Sequence, residues 1–163
     1  MSHATRTTTH HLVIDAPAEL VFGLLNSFSH WQDLDGVAVY AEHIGGDERD
    51  HEIRISFVDN GALASAHFRR TVDAEKRLIQ FQQSGADTTP YDVAGRWRVE
   101  EATDRPATGP APSVVTLEHE YQIEAGADET WAQRVFDEYA RRELAALQRS
   151  CERHQLFQRH FGR

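Results

Sequence analysis

Apolar and polar residues alternate with a period of two through the middle of the chain. This is the pattern of strands that bury one face. It predicts six strands, over residues 37–44, 51–58, 63–72, 77–82, 91–100 and 114–123. A short apolar run over 11–15 adds a first strand before them. Between the strands fall Gly45-Gly46, Asn60-Gly61, Asp73-Ala74-Glu75 and Gly85, residues that suit hairpin turns. After the first strand, Ala16-Pro17-Ala18-Glu19 opens a short helix, with Pro17 early, where its missing N–H costs nothing. A second helical turn is expected over 28–34, carrying Trp31. From Asp128, a residue type that caps helix N-termini, to about His160 the period changes to that of one long helix.

Consecutive hairpins make an antiparallel sheet with one apolar face, and the long helix has one apolar stripe. Packing one on the other gives an α+β layer. The expected fold is a seven-stranded curved antiparallel sheet wrapped around a long C-terminal helix, with two short helices after the first strand. Enough curvature leaves a cavity between sheet and helix. No repeat or long linker divides the chain, so residues 1–163 read as one domain, with 1–8 and 161–163 expected to be flexible. The loop 103–113 holds three prolines and a glycine. It reads either as a surface connection or as a flap at a pocket mouth.

Composition narrows the classes of function. Hydrophobic residues make up 40% and charged residues 26%, as in ordinary globular domains. The net charge of −9 opposes nucleic-acid binding, which depends on phosphate neutralisation. No apolar run reaches the ~20 residues of a membrane helix. The N-terminal stretch is polar and lacks a secretory apolar segment. A single cysteine, Cys151, fits a reducing cytoplasm. His10 and His11 are adjacent, but no ligand set with metal spacing accompanies them, and neither a Gly-rich phosphate loop nor a Ser elbow is present. Arg141, Arg142, Arg149, Arg153, Arg159 and Arg163 crowd the C-terminal segment. They read as a solvated helix face or as a docking patch for an acidic partner.

The alternation leaves three polar residues where apolar ones are expected. On 63–72 the inner set is Ala64, Ala66, Phe68, Arg70 and Val72, so Arg70 points inward beside outward Arg69. On 114–123 the inner set is Val115, Leu117, His119, Tyr121 and Ile123, which turns His119 inward. On the long helix, Trp131, Val135, Tyr139, Glu143 and Leu147 follow at spacing four, and Glu143 interrupts the stripe. Each alone has a plain structural reading: a hydrogen-bonded core histidine, an Arg70–Glu143 bridge, a glutamate at the stripe's edge. Together they suit a polar cluster inside an apolar small-molecule pocket. Small inner residues Ala64, Ala66 and Gly95 leave room for a ligand.

The element order and several local sequences resemble the Bet v 1/START-like superfamily, a helix-grip fold. Val13-Ile14-Asp15-Ala16-Pro17-Ala18-Glu19-Leu20-Val21-Phe22 is similar to its first strand and helix. Within it, Phe68-Arg69-Arg70-Thr71-Val72-Asp73 and Thr116-Leu117-Glu118-His119-Glu120-Tyr121 resemble the aromatase/cyclases of type II polyketide synthases. Glu143 stands where one subgroup has an acid, usually Asp. The Gln32-Asp33-Leu34-Asp35 turn lacks the Phe-Pro that often follows the family's Trp. The resemblance implies regiospecific aldol closure and dehydration of a carrier-protein-bound poly-β-ketone, most naturally the first ring, with no metal or organic cofactor. Arg70, His119 and Glu143 would be catalytic, with Glu143 orienting His119. Trp31, Phe57, Phe68, Tyr91, Trp97, Tyr121 and Tyr139 would line the pocket. Acyl carrier protein and other synthase subunits would be partners. The rival reading is a non-catalytic carrier of a hydrophobic small molecule such as a lipid or quinone.

Overall fold

The computed structural model describes residues 3–27, 40–59, 61–84, 93–103 and 109–162. The elements run β1 (His3–Ile14), α1 (Ala18–Asn26), β2 (Tyr40–Gly46), β3 (Asp50–Asp59), β4 (Ala62–Asp73), β5 (Leu78–Ser84), β6 (Val93–Glu101), β7 (Ser113–Glu124) and α2 (Glu129–Phe161). All seven strands form one sheet in the order β1-β7-β6-β5-β4-β3-β2. Every pairing is antiparallel. Each strand from β2 to β7 pairs with the next along the chain, and β1 pairs with β7. The helix-grip expectation holds for the sheet, α1 and α2. The second helical turn over 28–34, the turn at Gly85 and the starts of the strands expected over 37–44 and 91–100 lie outside the described residues.

β1 is longer than its apolar run indicated. Residues 3–8, which the apolar run does not reach, pair along β7 from His3↔Glu124 to Thr8↔His119. Polar threonines formed no apolar signal, but a neighbouring strand supplies partners for their backbone groups. Turn chemistry acts where backbone geometry demands it. Gly46 (φ 97°) and Gly61 (φ 78°) take left-handed conformations at the β2–β3 and β3–β4 turns. At the next turn Lys76 N–H donates to the Asp73 carboxylate at 3.1 Å.

α2 begins where the Asp128 carboxylate accepts from Trp131 N–H at 3.0 Å. Its buried stripe is Ala132, Phe136, Ala140, Leu144, Leu147 and Cys151. That stripe is turned by one residue, about 100°, from the one that spacing suggested. Trp131 is 50% exposed and Tyr139 is 36% exposed. The small Ala132 and Ala140 win the inner positions because they let the helix approach the sheet closely. The core joins α1 (Val21, Phe22, Leu25), the inner faces of β5, β6 and β7 (Ile79, Trp97, Val99, Val115, Leu117) and α2 (Leu144, Leu147, Cys151). Gln148 of α2 donates to the Val13 carbonyl of β1 at 3.0 Å, which fixes the helix along the sheet edge. Among the described residues no helix is long and apolar enough to cross a membrane.

Candidate functional site

The strand register gathers the inward polar residues into one line. His51 opposes Arg70, Arg70 opposes Phe81, Phe81 opposes Gly95, Gly95 opposes His119, and His119 opposes Thr8. Directly paired residues point to the same face of a sheet. A single row on the buried face therefore reads His51, Arg70, Phe81, Gly95, His119, Thr8. Arg70 and His119 stand three strand spacings apart, about 14 Å along the sheet.

Arg70 is 3% exposed. Its guanidinium donates to the carbonyl oxygens of Leu25 (3.4 Å) and Asn26 (3.4 and 3.5 Å), at the end of α1. They lie in the last turn of the helix, where its dipole presents a negative end. The cation is thus held by α1 and not by the Glu143 carboxylate, the bridge that sequence reasoning kept open. Burial lowers the Arg70 pKa to about 10, so it stays charged at neutral pH. His51, beside it in the row, is 6% exposed, and its Nδ1 lies 3.0 Å from the Asp47 carbonyl. Burial first, and the Arg70 charge second, hold His51 below the usual imidazole range.

His119 is 5% exposed. Its ring lies between Phe81 (centroids 5.8 Å apart) and Phe136 of α2 (5.7 Å). Burial, with a smaller contribution from the nearby charge of His10, lowers its pKa to about 4. The imidazole is neutral at pH 7 and so free to accept a proton. Ring contacts continue on both sides. Phe68 meets Phe81 edge-on at 6.0 Å, and Tyr121 stacks on Phe136 at 4.1 Å. Gly95 permits this packing. A Cβ there would overlap the Glu118 carbonyl oxygen and come within 2.5 Å of Phe81 Cζ. The room expected at Gly95 is therefore filled by the Phe81 ring.

Glu143 borders the α2 stripe. The residue as a whole is partly exposed, yet its carboxyl is desolvated, and burial pushes it up to about 8. It carries its proton at neutral pH. Seven residues, about 10 Å along the helix, separate it from Phe136, whose ring meets His119. Trp97 is buried opposite Ile79 and Leu117 in the main core. Phe68 and Tyr121 belong to the chain of rings, while Tyr139 stands at the helix edge, half in solvent. Phe57 lies in β3 opposite Ala64. Trp31 and Tyr91 fall outside the described residues. The Cys151 thiol, buried and pushed up to about 12, is unsuited to nucleophilic chemistry.

Sequence reasoning missed four members of this face. His51 sits two residues before Ile53, so alternation already aligned it inward. Thr8 and His10 precede Leu12 and Ile14 at the same spacing, but the apolar run that signals β1 starts only at residue 11. Phe81 becomes notable only through the register. A groove of about 380 Å³ opens among outward residues such as Arg69, Thr71, Gln80, Arg96 and Glu118, and Phe81 and Gly95 of the row also line it. It is open and polar, unlike an enclosed site for an apolar ligand.

Comparisons with known proteins agree with this architecture. The family model "Polyketide cyclase / dehydrase and lipid transport" matches residues 5–152. The granaticin polyketide synthase bifunctional cyclase/dehydratase of Streptomyces virginiae is 30% identical over 146 residues, covering 88% of this chain and 45% of that protein. Its counterpart from Streptomyces violaceoruber is 23% identical, over 90% of this chain and 44% of that protein. The chain spans a little under half the length of these curated relatives. Among solved structures, the ZhuI aromatase/cyclase of a Streptomyces species superposes with a TM-score of 0.78 at 20% identity, covering 92% of this chain and 95% of that one. The di-domain BexL superposes with a TM-score of 0.74 at 30% identity, covering 90% of this chain and 46% of that one. By the extent of the family match and by the fold, this chain belongs to the polyketide cyclase/dehydrase and lipid transport family.

Proposed function

We propose that the protein is a polyketide aromatase/cyclase that directs aldol ring closure and dehydration of a carrier-protein-bound poly-β-ketone, at the first ring. The observation that carries this reading is the row that sets the buried cation Arg70 and the neutral imidazole His119 on one inner face, with aromatic rings between and beside them. A poly-β-ketone cyclises unaided but without selectivity. A chain bent along the row presents one methylene to one distant carbonyl, and orientation selects the ring.

His119 takes a proton from that methylene. The electron pair passes to the enolate, whose oxygen is stabilised by Arg70. The enolate carbon attacks the distant carbonyl carbon, forming the C–C bond. The alkoxide takes the proton of Glu143. The Glu143 carboxylate so formed takes a second α-proton, and the hydroxyl departs as water on the proton held by His119, which completes the unsaturated ring and returns both groups to their starting states. An imidazolium is disfavoured in apolar surroundings, so His119 readily passes its proton on to the leaving hydroxyl. In this scheme Glu143 acts as a proton donor on another stretch of the chain instead of orienting His119. The Arg-rich end of α2 would dock the acidic carrier protein, countering the repulsion from a net charge of −9. Such synthases work in the cytoplasm, where we place this protein.

Reconstitution with a minimal polyketide synthase tests the reading. The expected result is a shift from mixed shunt products to one aromatic product by mass spectrometry. An unchanged mixture across several chain lengths would favour the non-catalytic carrier.

A further inference from the structure

β1 places a second polar group of residues beside His119. Thr8 is the direct cross-strand partner of His119. His10 is the next residue of β1 on that face, opposite Leu117 and diagonal to His119, a separation of about 7–8 Å. Thr8 is 8% exposed. Thr8 Oγ1, His10 Nδ1 and His119 Nδ1 are all buried, and none has a hydrogen-bond partner among the described residues. Buried polar atoms are nearly always paired, so these three, two at the end of the row and one beside it, call for a partner.

The His10 ring is anchored from the other side. Its Nε2 lies 3.0 Å from Asp137 Oδ1 of α2. A carboxylate there fixes the ring's orientation and keeps the proton on Nε2, which leaves Nδ1 as an acceptor in neutral His10. Thr8 offers a hydroxyl that donates. An acceptor next to a donor matches a group that does both: the O–H of an enol or a phenol.

We propose that Thr8 and His10, with His10 positioned by Asp137, form beside His119 a recess that binds an enol or phenol hydroxyl of the ligand. The ligand's O–H would donate to His10 Nδ1, and its oxygen would accept from the Thr8 hydroxyl. For an aromatising enzyme this group fits both an enolised substrate and a phenolic product, and to that extent the inference rests on the cyclase reading. Thr8 and His10 would then fix which oxygen of the chain sits next to the base.

The test is binding without turnover, using 1-naphthol and naphthalene, which differ by one hydroxyl. The protein should bind 1-naphthol about tenfold more tightly, the usual effect of a hydrogen bond made in a buried site. Thr8→Val keeps the side chain's shape and should shrink that preference below about threefold, with naphthalene affinity unchanged. Asp137→Asn should reduce it in the same direction, and Asp137→Glu should restore part of it. Nitrogen chemical shifts in the unmutated protein need no variant: His10 Nδ1 should move on adding 1-naphthol and stay still on adding naphthalene. Equal affinity for the two probes, binding of neither, a preference that survives Thr8→Val, or a static His10 signal would each overturn the proposal. Polyketide products that ignore the protein would instead sink the cyclase reading, while naphthol selectivity would still report on the recess.

Discussion

Arg70 and His119 occupy the same transverse row of the sheet, three strands apart, with Phe81 and Gly95 between them. The chain separates them by two whole strands, β5 and β6, and three connections, so no local sequence feature links them. Their common row gives the site a cationic end and a basic end with apolar walls between.

Arg70 has two physical tasks, so its replacement should have two measurable effects. Arg70→Ala removes the donors to the Leu25 and Asn26 carbonyls and should cost about 1–3 kcal/mol of stability. It should also cut the yield of the cyclised product about 100-fold, as expected for loss of an oxyanion-stabilising cation. Urea denaturation and product analysis on the same preparation separate the two. A folded variant with full activity would show that Arg70 only secures α1.

Stability should respond to pH in opposite senses at His119 and Glu143. The folded-state pKa of His119, about 4, lies below the ordinary 6.5, so the unfolded chain binds the proton first. Its contribution is present above pH 6.5 and is lost as pH falls toward 4, about 3 kcal/mol in all. The Glu143 carboxyl, at about 8, lies above the ordinary 4.5. Its contribution is present below pH 4.5 and is lost as pH rises through 8. Between pH 4.5 and 6.5 the two nearly cancel, and above 6.5 the protein should weaken. Glu143→Gln should gain on the parent steadily from pH 4.5 to 8 in urea midpoints. A constant offset across that range would show that the carboxyl ionises freely.

The same two groups set the pH profile of the reaction. A neutral His119 and a protonated Glu143 coexist between about pH 4 and pH 8. The rate of ring closure should therefore fall on the alkaline side near 8. In Glu143→Gln that alkaline limb should vanish, with a lower but flatter rate. An unchanged limb would assign it to another group.

Gly95→Ala tests the close packing of the row. The new methyl meets the Glu118 carbonyl and the Phe81 ring, so Phe81 must leave its contact with His119. Overpacking of this kind should cost about 1–3 kcal/mol and scatter the product distribution. Thermal unfolding and mass spectrometry read the two effects.

Ser113→Ala serves as a control away from the row. Ser113 is fully buried and donates to the Ala16 carbonyl at 2.7 Å, joining the start of β7 to the turn before α1. Its loss should lower stability by about 1–2 kcal/mol and leave the product ratio as it was. A changed ratio would tie that turn to the site.

The sequence by itself determined most of the strands and the long helix, because period-two and period-3.6 patterns report directly which side chains seek the core. It also turned Arg70 and His119 inward, since alternation assigns faces without reference to neighbours. Register is different in kind. Which residue of β4 stands level with which of β7 depends on three intervening pairings, and only the folded sheet put Arg70, Phe81, Gly95, His119 and Thr8 in one row. The rotation of α2 was likewise a tertiary decision: Ala132 and Ala140 face the sheet in place of Trp131 and Tyr139, because close packing favours small side chains over a stronger apolar signal. The polar start of β1 carried no hydrophobic pattern at all. It became a strand, and brought Thr8 and His10 beside His119, because β7 offered its backbone a full set of partners.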